Sequence, residues 1–218
     1  IIEFDVLKEK RPDPDHSLDQ SHAISTTCFR RIMYCHENDA IEGRDIAILG
    51  DDDLTSLAIM IFSSRYGLKI KSLNVFDIDL RILDFVESIS RKLGFEVNLY
   101  QIDLKEKLQE SYKNSYDVII SDPPYTVAGL TRFAGVGAEM IKENVGGIDF
   151  LSYPNLRPVD NALFFRNIVN FGFSPKELIP GFNEYVGAQI HAGKSNMGRF
   201  FVSCLDINSS DLPSEGIY

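Results

Sequence analysis

The sequence predicts an α/β fold: a doubly wound, mostly parallel sheet finished by a terminal antiparallel strand pair. Three observations predict it. From Asp45 onward, short apolar runs alternate with stretches of helical period. The apolar runs are hydrophobic throughout, as strands covered by helices on both faces must be. Acidic residues stand just after four of those runs, at the strand ends where open α/β sheets bind ligands.

Taken in order, RPDPDHSLDQS (11–21) is polar and Pro-rich and is expected to be irregular, and HAISTTCFRRIMYC (22–35) reads as a helix. Residues 1–44 cannot bury a core alone, so they are expected to form an arm or lid on a catalytic domain of residues 45–218. DIAILG (45–50) is the first strand, and LTSLAIMIFSSRYG (54–67) is a helix stopped by Gly67. KSLNVF (71–76) is the second strand. Asp79 caps the next helix (80–94), whose Ile82, Leu83, Phe85, Val86, Ile89 and Leu93 form an apolar stripe. EVNLYQI (96–102), YDVIIS (116–121) and GGIDFLSY (146–153) follow as strands, and NALFFRNIVNFG (161–172) as a helix. KELIPGFNEYV (176–186) and GRFFVSCL (198–205) are two strands close enough in sequence to pair antiparallel. By analogy, that ending is the habit of class I AdoMet-dependent transferases.

The 218 residues suffice for one sizeable core. Twenty-two Lys and Arg against 32 Asp and Glu give a net charge of −10. A duplex-binding protein needs a basic footprint, so nucleic acid is not an expected partner. No apolar run approaches the roughly 20 residues of a membrane span, so no membrane association is expected. Cys28, Cys35 and Cys204 fit neither a disulfide framework nor zinc spacing and read as free thiols of a reducing cytoplasm. His16, His22, His36 and His191 show no metal or triad spacing, so neither a metal nor a prosthetic group is expected. The opening IIEFDVLKEK has no initiator Met and no signal-peptide pattern, which leaves open whether residues precede it.

The acids divide by position. Asp51, Asp52 and Asp53 follow the first strand at Gly50, Asp77 and Asp79 the second, Asp103 the third and Asp122 the fourth. Asp77 stands where doubly wound nucleotide folds place the carboxylate that binds ribose hydroxyls. Asp103 stands where class I transferases commonly contact adenine, and Ile78 and Leu104 complete the expected nucleoside contacts. Asp122-Pro123-Pro124-Tyr125 resembles the [DNS]PP[YF] motif of amino-group methyltransferases. There a carboxylate and a carbonyl before a proline accept the hydrogens of a nitrogen nucleophile, and the rigid prolines hold them in place. Tyr125 can lie over a cationic amine or sulfonium. The three aspartates after Gly50 would repel the carboxylate of AdoMet. They suit instead the bare aminopropyl ammonium of decarboxylated AdoMet, which donates an aminopropyl group.

GDDDLTS (50–56), NVFDID (74–79), SDPPYT with Gly129 following, FNEY (182–185) and RPDPDHSLDQ (11–20) together resemble the branched-chain polyamine synthase family. The resemblance spans nearly the whole chain. It implies sequential aminopropyl transfer from decarboxylated AdoMet to the central amine of spermidine or a related polyamine, with methylthioadenosine leaving. It points to Asp19 as general base with Gln20 beside it on the donor, to Asp51 and Asp52 on ammonium groups, and to Glu184 and Tyr185 in the acceptor channel. The residues alone favour Asp122 as base, so both stay open. The chain departs from the family at Tyr125, where archaeal members often carry an acid, and in a shorter, less acidic segment after FNEY. A homodimer is the expected assembly. Two rival readings are an AdoMet-dependent N-methyltransferase acting on nucleic acid or protein, and a non-catalytic polyamine or nucleoside sensor.

Overall fold

A computed structural model describes residues 1–143, 146–186 and 193–202. Its strands are β1 (Asp45–Leu49), β2 (Ser72–Asp77), β3 (Asn98–Gln101), β4 (Val118–Ser121), β5 (Ile148–Tyr153), β6 (Phe173–Glu184) and β7 (Lys194–Val202). They form one sheet in the order β3-β2-β1-β4-β5-β7-β6. The first five are parallel, with Ile48 of β1 level with Val75 of β2 and Ile120 of β4. The last strand, β7, inserts antiparallel between β5 and β6. The predicted fold class and its terminal antiparallel pair are what the sheet shows; the insertion of β7 next to β5 was not predicted. Cys204 and His191 lie outside the described residues.

Side chains alternate across the sheet, so each strand feeds two cores. Ile46 and Ile48 join one apolar cluster with α1 (Ile2–Lys8), α2 (Ser25–Glu37), α3 (Thr55–Tyr66) and α4 (Leu80–Leu93). Ala47 and Leu49 join the other with α5 (Val127–Met140) and α6 (Pro158–Asn170). Helix α3 is buried from Thr55 to Ser63 because the arm covers its outer side: Phe4, Cys28, Ile32 and Cys35 pack in its cluster. Burial pushes the Cys28 thiol up to about 12 and the Cys35 thiol upward as well. Asp79 caps α4 as expected, accepting from the Arg81 N–H at 2.9 Å.

Two helices were not predicted, α1 and α5. Helix α5 carries glycines at 129, 135 and 137, which lower helix propensity, and it is buried all round from Gly129 to Met140, so no one-sided apolar stripe betrays it. Gly137 has a packing reason: a Cβ there would stand 3.3 Å from Ile119 Cγ2 of β4. The helix lies that close to the sheet, and its N-terminus places the Asp122–Tyr125 turn over the strand ends.

Candidate active site

A cleft of about 560 Å³ runs across the carboxyl ends of β1, β2 and β4, roofed by residues 14–22 of the arm. Its apolar end is floored by Phe76, Ile78, Ile102, Leu104 and Phe133. That apolar lining suits an aromatic base. Ile78 and Leu104 line it as expected. Asp103 does not: its side chain turns back to accept the Lys105 N–H at 2.8 Å.

Beside the slot, Asp77 is buried with both oxygens anchored. Oδ2 accepts the Asp51 N–H and Oδ1 the Asp79 N–H, each at 2.8 Å. Burial raises its pKa while these N–H bonds oppose the rise. Each oxygen keeps a second lone pair, and Asp77 lines the cleft, so a ribose diol can bind there. Gly50 lines the cleft next to it at φ +73°, a left-handed conformation that favours glycine and turns the chain out of β1.

The three aspartates after Gly50 do three different jobs. Asp51 is fully buried and faces the start of α3, accepting the Ser56 N–H at 3.0 Å and the Ser56 hydroxyl. Burial pushes its pKa up to about 8. Asp53 is also turned away from the cleft, toward the arm: it accepts the Ala23 N–H and the guanidinium of Arg31, at 2.7 Å for the latter. Only Asp52 lines the cleft. It accepts the Ser21 N–H at 3.1 Å on one oxygen, and its other oxygen has no hydrogen bond among the described residues. Burial, then Asp53, Asp122 and Asp77, hold its pKa well above the usual carboxylate range. The expected triple lining is therefore corrected to a single carboxylate. The cause is local: helix α3 and the arm each claim one neighbour.

At the other end stands Asp122. Oδ2 accepts from Arg31 Nη2 at 2.5 Å and from the Tyr185 hydroxyl at 2.7 Å; Oδ1 accepts from the Tyr125 hydroxyl at 3.0 Å. The two phenol oxygens also meet each other, and because each carries one proton, a phenol that donates to its neighbour does not at that moment donate to Asp122. The rings stand edge to face with centroids 6.0 Å apart. Burial raises Asp122 to about 6, against the pull of Arg31. Asp122, Pro123, Tyr125 and Tyr185 all line the cleft. Glu184 does not; it pairs at 3.4 Å with Lys194, which does.

The arm closes the roof. Asp19, in the left-handed region at φ 59°, accepts the Tyr125 N–H at 3.0 Å and is otherwise exposed. Gln20 joins the arm to α4, accepting the Asp15 N–H at 2.7 Å and donating to Asp79 at 3.2 Å. Both line the cleft. His22 lines it too; burial and then Arg11 push it down to about 4, so the imidazole is neutral.

Sequence reasoning missed Arg31, Lys194 and the apolar floor contributed by Phe76 and Phe133. Arg31 left a signal: it lies on the face of α2 shared by Cys28, Ile32 and Cys35. A charge on a buried stripe needs a buried partner. Among the described residues no cluster of three or more His, Cys, Asp or Glu is placed to hold a metal ion. No helix among them is long and apolar enough to cross a membrane.

A doubly wound sheet with its ligand cleft across the strand ends and an Asp-Pro-Pro-Tyr turn on β4 places the protein in the class I methyltransferase-like fold. Residues 1–203 match the branched-chain polyamine synthase A C-terminal domain, and the chain belongs to that family. It is 38% identical to an uncharacterized protein of Methanocaldococcus jannaschii, over 98% of this chain and 52% of the relative. It is 31% identical to the N(4)-bis(aminopropyl)spermidine synthase of Thermococcus kodakarensis, over 85% of this chain and 52% of that protein. The chain thus spans about half the length of the curated relatives it matches. Among solved structures, the branched-chain polyamine synthase of Thermus thermophilus, in complex with N4-aminopropylspermidine and 5′-methylthioadenosine, superposes with a TM-score of 0.86. That match is 23% identical and covers 97% of this chain and 66% of that one.

Proposed function

We propose that this chain carries the catalytic cleft of an aminopropyltransferase, which moves the aminopropyl group of decarboxylated AdoMet to an amine of spermidine or a related polyamine. The observation that carries the reading is Asp52. It puts an unshared carboxylate oxygen in the cleft beside the loop that, in this fold, receives the amino-acid end of AdoMet. A carboxylate there disfavours AdoMet and favours the ammonium of the decarboxylated donor. Family membership and the relatives' names support the same chemistry.

In this reading the apolar floor takes adenine and Asp77 the ribose. The acceptor nitrogen attacks the methylene carbon next to the sulfonium, the C–S bond breaks, and methylthioadenosine leaves. The attacking amine must arrive or become deprotonated. Asp122 is a weak candidate for that proton because three donors already occupy it. Asp19 keeps an oxygen free but lies exposed on the arm. Asp52 combines a free oxygen and a place in the cleft with a pKa that burial and its acidic neighbours raise, which makes it a better proton acceptor than an ordinary carboxylate. We assign it that role, with Asp19, Tyr125 and Tyr185 shaping the acceptor site. The net charge of −10 supports a polycationic partner over a nucleic acid.

The test is direct. Full-length protein incubated with decarboxylated AdoMet and spermidine is expected to give products heavier by one or more aminopropyl groups, together with methylthioadenosine. Mass gain by methyl groups from AdoMet, with none from the decarboxylated donor, would establish the N-methyltransferase reading instead.

A further inference from the structure

We propose that Arg31 is a built-in counter-cation of the acceptor site: from behind the cleft wall it neutralises Asp122, and so biases the cleft toward amines with fewer charges. The inference rests on the reading of the cleft as a polyamine site.

Arg31 is 2% exposed and its guanidinium is spent on four groups from three elements besides its own. Nε donates to Asn183 Oδ1 at 2.8 Å, Nη1 to Asp53 at 2.7 Å, and Nη2 to Asp122 at 2.5 Å and the Tyr185 hydroxyl at 3.2 Å. Two carboxylates converge on one cation, leaving the trio one negative charge in place of two. One of them, Asp122, belongs to the cleft wall. The groups facing Asp122 are Arg31 from α2, Asp52 and Asp53 from the loop after β1, Tyr125 from its own turn and Tyr185 from the end of β6.

An ammonium of a long polyamine entering past Tyr125 would meet a carboxylate that is already paired. The binding that a free Asp122 could give a further cationic nitrogen is cancelled from inside the protein. The neighbouring Arg30 shows the contrast: it is exposed, and its Nη1 donates to the Phe182 carbonyl, away from both acids.

The test compares the full-length wild type with Arg31→Lys and Arg31→Met. Calorimetry, with methylthioadenosine present, measures affinity for amines of two, three and four nitrogens: putrescine, spermidine and spermine. Arg31→Met is expected to raise the spermine-to-spermidine affinity ratio about tenfold, the worth of one unpaired charge at close range in partly shielded surroundings. Arg31→Lys keeps the cation and is expected to keep the wild-type ratio. Uniform weakening toward all three amines at an unchanged melting temperature would overturn the proposal and leave Arg31 a structural residue. If Arg31→Met does not fold, Arg31→Met/Asp53→Asn removes the extra buried charge and leaves Asp122 unmasked. The same rise in ratio is expected there, and a wild-type ratio in that folded double variant overturns the proposal. Wild-type protein that binds none of the amines defeats the reading of the cleft itself, and this inference with it.

Discussion

At the β1–β2 end of the cleft, Asp77 is held by two backbone N–H groups and Asp51 by the first turn of α3. At the β4–β6 end, Asp122 is held by a guanidinium and two phenols. Backbone N–H groups stay when a side chain is replaced, so in the proposed reading the nucleoside end is a fixed socket. The amine end is assembled from side chains contributed by the arm, the Pro-Pro turn and the terminal strand pair. Its charge and shape can change with single residues while the sheet stays as it is. One fold can thereby keep its donor and vary its acceptor.

The largest expected effect tests which end supplies the base. Asp52→Asn is nearly isosteric and keeps an acceptor for the Ser21 N–H but cannot take a proton. Turnover should fall by about two to four orders of magnitude, with methylthioadenosine binding largely kept. Asp19→Asn and Asp122→Asn should each lose less, and raising the pH should partly rescue Asp52→Asn because more acceptor arrives deprotonated. A collapse at Asp19→Asn beside an active Asp52→Asn would move the base onto the arm.

A smaller effect is expected at the fixed socket. Asp77→Ala removes a charged acceptor of ribose and leaves the Asp51 and Asp79 N–H groups without their partner. Methylthioadenosine should bind about 1.5–3 kcal/mol more weakly, read by calorimetry. Spermidine affinity should change little. If both ligands weaken together, the two ends are not the separate units their anchoring suggests.

Smaller still is Tyr185→Phe. It removes the hydroxyl's bond to Asp122, along with its contacts to Arg31, Tyr125 and Ser195. The loss of the charged partner costs about 1.5–3 kcal/mol at most, reduced because Arg31 and Tyr125 still hold Asp122. The expected readout is a raised KM for the amine with an unchanged KM for the donor.

This difference between the two ends also explains what was legible in the sequence. Asp79 is two residues from Asp77 and Ser56 five from Asp51, so strand, turn and cap announce themselves locally. That is why the succession of strands up to β4, the cap at Asp79 and the place of Asp77 at the end of β2 could be read. Arg31 is 91 residues from Asp122 and Tyr185 is 63, and only the closed sheet brings them together. From sequence, GDDD reads as three equal carboxylates. Their division into a helix anchor, an ion-pair partner and one cleft residue depends on where α3 and the arm pack. Helix α5 was hidden for a related reason: its glycines answer to contact with Ile119, which local propensity does not register.

A carboxylate with neither kind of partner sharpens the comparison. Asp149 lies mid-strand in β5, 1% exposed, and neither oxygen has a hydrogen-bond partner among the described residues. Burial pushes its pKa up to about 8, where Asp77 has N–H groups and Asp122 a cation to oppose the same rise. The sign follows from the protonated form being favoured in the fold. The unfolded chain ionises this acid above about pH 4, while the folded chain holds the proton to about pH 8. The unfolded state therefore binds fewer protons across that window. Stability from this group is fully present at low pH, falls as pH rises from about 4 to 8, and is level above. Asp149→Asn cannot ionise, so it should remove that share of the decline. Its melting temperature should exceed wild type by several degrees at pH 8, at about 2–4 °C per kcal/mol for a chain of this size, and by little at pH 4. Aminopropyl transfer should be untouched, since Asp149 does not line the cleft. Scanning calorimetry at several pH values decides it. Parallel wild-type and variant curves would mean that Asp149 finds a partner in solution, and that the fold has no unpartnered carboxylate to set beside the two anchored ends.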